Sequence, residues 1–176
     1  MIKLHDVCFE PYLTEVQIQS QIQKMSHQIQ LDFKGEIPIF LGVLNGSFMF
    51  CADLVKQFVG DCEVHFVKLS SYQKMESTGE VLELIGLEKN LEDRTVIVVE
   101  DIVDTGNTLQ KIMEMLKPKQ AKAIKIATLF LKPSVYTKNI QIDYIGFQIP
   151  NDFIVGYGLD YEGLGRNLRE VYKVKD

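Results

Sequence analysis

The stretch 96–109 concentrates side chains that could bind a sugar phosphate. Three carboxylates lie within five residues of one another, at Glu100, Asp101 and Asp104. They follow the apolar, β-branched run 95–99, which predicts a buried strand. Unpaired charge beside a buried strand costs free energy, so this many acids indicates a functional site. The alternative is that the acids are solvated loop residues ahead of a helix.

The four residues after Asp104 could hold a phosphate group. They are Thr105, Gly106, Asn107 and Thr108. They open a predicted helix, where backbone N–H groups converge at its positive end, and Gly106 permits close approach or a positive φ. Glu100 and Asp101 cannot bind phosphate, but they could accept hydrogen bonds from sugar hydroxyls or hold a magnesium ion through water. A ligand with both a phosphate and a hydroxylated sugar would satisfy both halves of the segment.

Helical and strand patterns alternate along the chain, and they must position these residues. Helices are predicted at 14–30, 47–58 and 107–116, the first with a capping box formed by Thr14 and Gln17. Strands are predicted at 37–44, 63–69, 81–84, 95–99, 121–131, 142–148, 154–157 and 171–174. The alternation predicts an α/β fold with a mainly parallel sheet covered on both faces. Such sheets bind ligands at the carboxyl ends of their strands.

Composition narrows the class of protein. The 176 residues suit one domain, and the net charge of −5 argues against broad nucleic-acid binding, which needs clustered positive charge. The three cysteines include no CxxC pair, which favours a reducing compartment such as the cytoplasm. The sequence predicts neither a signal peptide nor a membrane span, and it has no P-loop or nucleophile-elbow motif.

The run EDIVDTGNTL at 100–109 resembles the signature of the type I phosphoribosyltransferases, most closely that of their hypoxanthine-guanine branch. The resemblance extends over about residues 39–169. It implies a central, mainly parallel twisted sheet flanked by helices, with a small hood formed by the chain ends. We therefore expect one domain over 1–176, with a core at about 30–148 and a hood built from the N-terminal segment and about 149–176.

The resemblance assigns roles on the side of the donor, phosphoribosyl pyrophosphate. It places Glu100 and Asp101 on the ribose hydroxyls and residues 104–108 around the 5′-phosphate. Asp104 would also lie near N7 of the purine as the general base.

The resemblance also implies a pyrophosphate site and a mobile loop. Asn45 and Gly46 match a pyrophosphate-binding turn, which commonly carries a cis peptide between these two positions. Many family members have lysine in place of Asn45, so backbone N–H groups become the expected contact here. Arg166 would contact pyrophosphate as well. Magnesium would be held by Glu100, Asp101 and Asp160, and the stretch 70–79, with Ser71 and Tyr72, matches a loop that closes over the site.

On the side of the acceptor base, the resemblance points to a 6-oxopurine. Lys132 matches a lysine that donates to the 6-oxo group, Phe153 would stack on the base, and the backbone of Ile154 would bind the base edge. Asp160, at the end of this segment, is also assigned to purine binding by the resemblance.

The resemblance thus predicts a purine-salvage enzyme that converts hypoxanthine, and guanine as well, to IMP or GMP with release of pyrophosphate. It implies Mg²⁺ as cofactor, a homodimer or homotetramer, and no nucleic-acid or membrane partner. One alternative is another type I enzyme, specific for xanthine, adenine or a pyrimidine; Lys132 and residues 153–155 disfavour the adenine and pyrimidine enzymes. The other is a nucleotide-responsive RNA-binding regulator on the same fold, for which the acidic composition gives no support.

Overall fold

A computed structural model describes residues 1–70, 82–85 and 90–175. The helices are α1 (Glu15–Asp32), α2 (Phe48–Gln57) and α3 (Asn107–Leu116), and a 3₁₀ turn follows at Lys117–Lys119. The strands are β1 (Ile2–Leu4), β2 (Val7–Leu13), β3 (Ile39–Leu44), β4 (Glu63–Ser70), β5 (Leu82–Ile85), β6 (Thr95–Val103), β7 (Ala123–Leu131), β8 (Tyr144–Gln148), β9 (Ile154–Val155) and β10 (Val171–Val174).

Helix α1 begins as the sequence predicts. The Thr14 side chain accepts a hydrogen bond from the backbone of Gln17, and the Gln17 side chain accepts one from the backbone of Thr14. This capping box satisfies backbone donors that the first turn of a helix leaves without partners. The buried residues of α1 recur at helical spacing and hold it on the sheet; they are Ile18, Ile22, Met25, Ser26 and Ile29.

The main sheet has the strand order β5-β4-β3-β6-β7-β8. The five strands β4, β3, β6, β7 and β8 pair in parallel in that order, and β5 pairs antiparallel with β4 at one edge. Helices α1 and α2 pack on one face, in a cluster with Phe40, Ile97 and Val99. Helix α3 packs on the opposite face, in a cluster with Val96 and Val98. This arrangement confirms the predicted α/β fold class.

Strand register brings three strand ends together. Gly42 of β3 pairs with Val99 of β6, and Val103 of β6 pairs with Leu131 of β7. The turn after β3, the acidic segment of β6 and the residue after β7 therefore meet at one edge of the sheet. The predicted end of the central strand at residue 99 is wrong, because β6 continues to Val103. Glu100 and Asp101 consequently lie within the strand rather than after it.

Both ends of the chain build a second sheet, with the order β1-β2-β10-β9 and antiparallel pairing throughout. It forms the hood that the predicted fold class includes. Ile154 and Val171 of this sheet are buried in the same cluster as Ile18 and Phe50, so the hood packs directly on the helical face of the core. Among the residues that the structure describes, no helix is long and apolar enough to span a membrane.

Candidate active site

Two adjacent carboxyl groups lie near the end of the central strand. Glu100 is only 6% exposed, and its Oε2 has no hydrogen-bond partner among the described residues. Burial, with a smaller contribution from the neighbouring Asp101 charge, raises the pKa of Glu100 well above its usual range. Burial also raises the pKa of Asp101 to about 6, against the opposing effect of Arg166. Burying ionised carboxyl groups costs free energy, and carboxyl groups with such raised pKa values are typical of binding and catalytic sites.

The strand then delivers the chain to a cavity of about 250 Å³ that is lined by the continuous run 100–109. Asp104, Thr105, Asn107 and Thr108 are exposed around it. Gly106 is the residue before the first turn of α3, with φ of 85°, and a Cβ at this position would meet the rings and chains of Tyr136 and Lys138. Only glycine fits this left-handed turn without strain. The cavity therefore opens onto the N-terminus of a helix, which is the geometry that binds phosphate.

The turn after β3 lies directly over the acidic strand. Asn45 is exposed, and a Cβ added at Gly46 would overlap the Asp101 carboxylate. A cis peptide bond joins Leu44 to Asn45. The cis bond was expected between Asn45 and Gly46, so the prediction is wrong by one residue. The expectation was wrong because the turn residues are recognisable in the sequence, whereas the individual bond that is cis is not.

An ion pair from the hood lies near the Asp101 carboxyl group. Arg166 Nη2 lies 2.5 Å from Asp160 Oδ1, and Arg166 Nη1 donates to the carbonyl oxygen of Gly158 at 2.7 Å. Asp160 also accepts a hydrogen bond from the backbone N–H of Gly163. The Arg166 charge lowers and the Asp160 charge raises the pKa of Asp101, so all three groups share one electrostatic environment.

Lys132 follows β7 and is 7% exposed. Its Nζ donates to Asp104 Oδ2 at 3.5 Å and to Asn151 Oδ1 at 3.3 Å. The structure thus brings Asp104 and Lys132 together and adds Asn151, which the sequence interpretation did not single out. The position of Asn151 beside the predicted base-binding residues is the only signal in the sequence that could have identified it.

Phe153 and Ile154 lie on the hood side. Phe153 is 46% exposed and packs edge-on against Tyr161, with ring centroids 5.8 Å apart. Ile154 pairs with Lys173, and Val174 donates to Phe153 across the same ladder. Directly opposed residues in an antiparallel ladder alternate between hydrogen-bonded and non-hydrogen-bonded pairs. Because Val174 and Phe153 are hydrogen-bonded, the next pair, Lys173 and Ile154, is not, and the N–H and C=O of Ile154 point away from β10. Because β9 is the last strand of the sheet, these groups face its open edge.

Ser71 and Tyr72, predicted in the mobile loop, lie outside the described residues. Within the described ranges, no three side chains of the His, Cys, Asp or Glu type are grouped closely enough to hold a metal by themselves. This donor set still fits Mg²⁺, since that ion is usually held by one or two carboxylates together with substrate phosphates and water. The buried and unpartnered Glu100 Oε2 and the adjacent Asp101 offer hard oxygen donors of the required kind.

Comparison with known proteins agrees with this geometry. The model of the phosphoribosyl transferase domain family matches residues 12–162. A hypoxanthine-guanine phosphoribosyltransferase of Streptococcus pyogenes is 42% identical over 164 residues, which is 93% of this chain and 91% of that protein. One from Staphylococcus aureus is 38% identical over 173 residues, which is 98% of this chain and 97% of that protein.

Solved structures agree as well. The crystal structure of a hypoxanthine-guanine phosphoribosyltransferase from Bacillus anthracis, with a HEPES molecule in its active site, superposes with a TM-score of 0.88 at 36% identity, covering 97% of this chain and 98% of that one. A mainly parallel sheet whose acidic central strand leads into a helix N-terminus is the arrangement expected of a phosphoribosyl-binding protein. This chain belongs to the phosphoribosyltransferase family. The predicted family is confirmed, and the relatives favour the predicted purine-salvage transferase over the alternatives.

Proposed function

We propose that this chain transfers the 5-phosphoribosyl group from phosphoribosyl pyrophosphate to hypoxanthine and guanine, giving IMP or GMP and pyrophosphate. The observation that carries this proposal is the contact of Lys132 Nζ with Asp104 beside the cavity at the N-terminus of α3. A lysine donor and a carboxylate there suit a 6-oxopurine held next to a ribose phosphate. Relatives that carry the hypoxanthine-guanine name support the same acceptor.

On the donor side, we assign the 5′-phosphate to the loop 104–108 and the ribose hydroxyls to Glu100 and Asp101. The loop offers backbone N–H groups and hydroxyl donors at the positive end of α3, and the two acids offer only acceptors. Pyrophosphate would contact the backbone of Asn45 and Gly46 and the guanidinium of Arg166. Because Asn45 carries no charge, Arg166 is the cationic side chain in this arrangement.

Magnesium is the cofactor that we propose, held by Glu100, Asp101 and Asp160 together with oxygens of the donor. When bound, it would neutralise charge on the departing pyrophosphate. In the absence of a cation, these three acids would repel the phosphates. Arg166 already pairs with Asp160, so the protein itself supplies part of the neutralisation.

On the acceptor side, Phe153 would stack on the purine, Lys132 would donate to its 6-oxo group, and the outward-facing backbone of Ile154 would bind its edge. The exposure of Phe153 and the direction of the Ile154 backbone support these roles. A 6-amino group cannot accept from an ammonium donor, which disfavours adenine.

The chain's residues then support a dissociative displacement. The bond from ribose C1 to the pyrophosphate oxygen breaks, a purine nitrogen bonds to C1, and the proton lost by the purine passes to Asp104. The carboxylates near the sugar stabilise its developing positive charge. Asp104 is half-exposed and hydrogen-bonded to Lys132, which keeps it within reach of a base that contacts both residues.

We further propose that the whole chain acts as one transferase domain and assembles into a cytoplasmic homodimer or homotetramer. Mass measurement in solution by light scattering tests the assembly. A monomer at micromolar concentration would contradict it.

A turnover assay tests the main proposal. Purified protein, phosphoribosyl pyrophosphate and magnesium are incubated with hypoxanthine, guanine, xanthine, adenine or uracil, and pyrophosphate release is followed. We expect turnover with hypoxanthine and guanine, and its loss when EDTA removes magnesium. Absence of turnover with both bases would overturn the proposed function, and turnover in EDTA would overturn the magnesium requirement.

A further inference from the structure

Tyr157 connects the hood to helix α2 through a partly buried hydrogen-bond network. It is 2% exposed, and its hydroxyl donates to Asp53 Oδ2 at 2.5 Å. Gln19 of α1 donates to the same carboxylate oxygen at 2.6 Å and to the tyrosine oxygen at 3.2 Å. Lys56 forms an ion pair with the other oxygen of Asp53. These hydrogen bonds lower the pKa of Asp53 although burial opposes them, so the network contains a stable carboxylate.

The backbone that follows Tyr157 is packed against the proposed pyrophosphate site. A Cβ added at Gly158 would overlap the carbonyl oxygen of Gly46, and Arg166 donates to the carbonyl oxygen of Gly158. The segment therefore touches both groups that we assign to pyrophosphate. Its other end, at Val155, continues into the strand that carries Ile154.

Tyr157 adopts an unfavourable backbone conformation to do this. Its φ is 49°, in the left-handed region, between Gly156 and Gly158 with φ of 99° and 98°. A bulky residue in this region costs free energy unless its surroundings compensate. A tyrosine that served only to fill the core would not need a hydrogen-bond partner for its hydroxyl on helix α2. Backbone hydrogen bonds from Tyr157 to Leu168 and from Gly158 to Arg166 hold this conformation together with the hydroxyl bond to Asp53.

We propose that Tyr157 is a positioning residue for pyrophosphate. Its hydroxyl, fixed by Asp53 and Gln19, holds the 156–158 backbone against Gly46 and so sets where the Asn45–Gly46 turn and Arg166 stand relative to each other. This inference rests on the proposed function, and it adds three residues, Gln19, Asp53 and Tyr157, that contact neither phosphate nor base directly. In the sequence, the run Gly156, Tyr157, Gly158 marks the position, since a bulky residue stands between two glycines that adopt positive φ.

The test compares Tyr157→Phe with Tyr144→Phe, a matched control. Tyr144 donates to Asp32 at 2.6 Å, which is the same kind of tyrosine–aspartate bond, but it lies at the amino end of β8, the opposite end of the sheet from the site. Both variants should lose thermal stability. Only Tyr157→Phe should raise the KM for phosphoribosyl pyrophosphate, by at least about fivefold, because the segment 156–158 loses its side-chain hydrogen bond to Asp53, although Asp53 keeps Gln19 and Lys56 as partners. The kcat and the KM for hypoxanthine should change much less.

Calorimetric binding of phosphoribosyl pyrophosphate with magnesium, without any base, separates this inference from the proposed function. If the wild type binds the donor but turns over no base, the proposed function fails, and the Kd of Tyr157→Phe still decides the positioning role. A donor Kd or KM equal to that of Tyr144→Phe overturns the role. A wild type that does not bind the donor overturns both. Asp53→Ala, which leaves the Tyr157 hydroxyl without this acceptor, should weaken donor binding as much as Tyr157→Phe, and the double variant should weaken it no further.

Discussion

Lys132 Nζ lies 3.5 Å from Asp104 Oδ2, although the residues are 28 positions apart in the chain. The parallel register of β6 and β7, which pairs Val103 with Leu131, makes the next residue of each strand a neighbour of the other. The backbone N–H of Lys132 also donates to the carbonyl oxygen of Val103. A donor for the 6-oxo group and the proposed proton acceptor are thus fixed to each other by the sheet itself.

Replacing Lys132 with methionine should lower kcat/KM for hypoxanthine by about 10- to 100-fold, because a charged hydrogen bond to the base is lost. The Kd for phosphoribosyl pyrophosphate should change little, since that molecule contacts other residues. Steady-state kinetics at varied hypoxanthine concentration measures kcat/KM, and calorimetry measures the Kd for phosphoribosyl pyrophosphate.

Lys125→Met is the matched control for this variant. Lys125 lies on the same strand, near its amino end, and its Nζ pairs with Asp143 at 2.8 Å. Removing it breaks an ion pair on β7 without reaching the site, so kcat/KM should stay close to that of the wild type. An equal loss in both variants would mean that Lys132 acts through strand stability and does not contact the base.

Asp104→Asn should cut turnover by at least tenfold while leaving donor binding almost unchanged, because a positioned general base contributes about 10²–10⁴-fold and an amide cannot accept the proton. Single-turnover rates of nucleotide formation, at saturating donor, measure this. Asp93→Asn is the control, since Asp93 is exposed in a turn at φ of 60°, which asparagine tolerates. An unchanged rate in Asp104→Asn would remove Asp104 as the base.

The central part of the site could be predicted because its signals are local. The β-branched run at 95–99 specifies a buried strand, and Gly106 with its flanking hydroxyl residues specifies a helix start, to which we assign a phosphate group. The parallel sheet follows from the alternation of strands and helices, and it places Lys132 near the acidic segment. For these residues, propensity, pattern and topology agree, which is the condition under which sequence specifies structure.

The hood could be predicted only in part, because its strands depend on distant partners. Strand β2 contains Glu10 and Pro11 and shows no regular alternation, and the sequence did not predict it. It is fixed by β10, where Val174 pairs with Phe9. The Tyr157–Asp53 bond likewise joins residues 104 positions apart, and no local pattern encodes it.

Gly46→Ala should weaken donor binding by at least about tenfold, because the added methyl group overlaps the Asp101 carboxylate and the turn must move away from the strand. Calorimetry with phosphoribosyl pyrophosphate and magnesium measures this. Gly35→Ala is the control: a Cβ there meets no atom within 4 Å, and φ of +83° means that only stability should fall. Normal donor binding by Gly46→Ala would show that the turn does not need its close approach to Asp101.

Ionisation of Asp101 destabilises the folded chain, whereas ionisation of an ordinary ion-paired aspartate stabilises it. Burial raises its pKa from 3.8 to about 6 in the folded chain. Between these two values the folded state binds more protons than the unfolded state, so the free energy of unfolding falls as pH rises from about 4 to about 6. Above that range, the buried charge costs the metal-free protein roughly 2–3 kcal/mol.

Asp101→Asn should therefore raise the Tm of the magnesium-free protein at pH 7.5 by roughly 4–12 °C, because one kcal/mol shifts the Tm of a chain of this size by about 2–4 °C. The gain should shrink to about half as the pH is lowered to 5, because the folded wild-type carboxyl group is protonated there while the unfolded one is still largely ionised, and the rest of the penalty is lost only below about pH 4. Asp143→Asn should do the reverse and lower the Tm, since the Asp143 carboxylate accepts hydrogen bonds from Lys125 Nζ and from the backbone of Ile126. Scanning calorimetry in EDTA at both pH values measures the difference. A Tm gain that is the same at pH 5 and pH 7.5 would contradict the titration of Asp101, and a Tm loss at pH 7.5 would show that its charge is stabilised by neighbours such as Arg166.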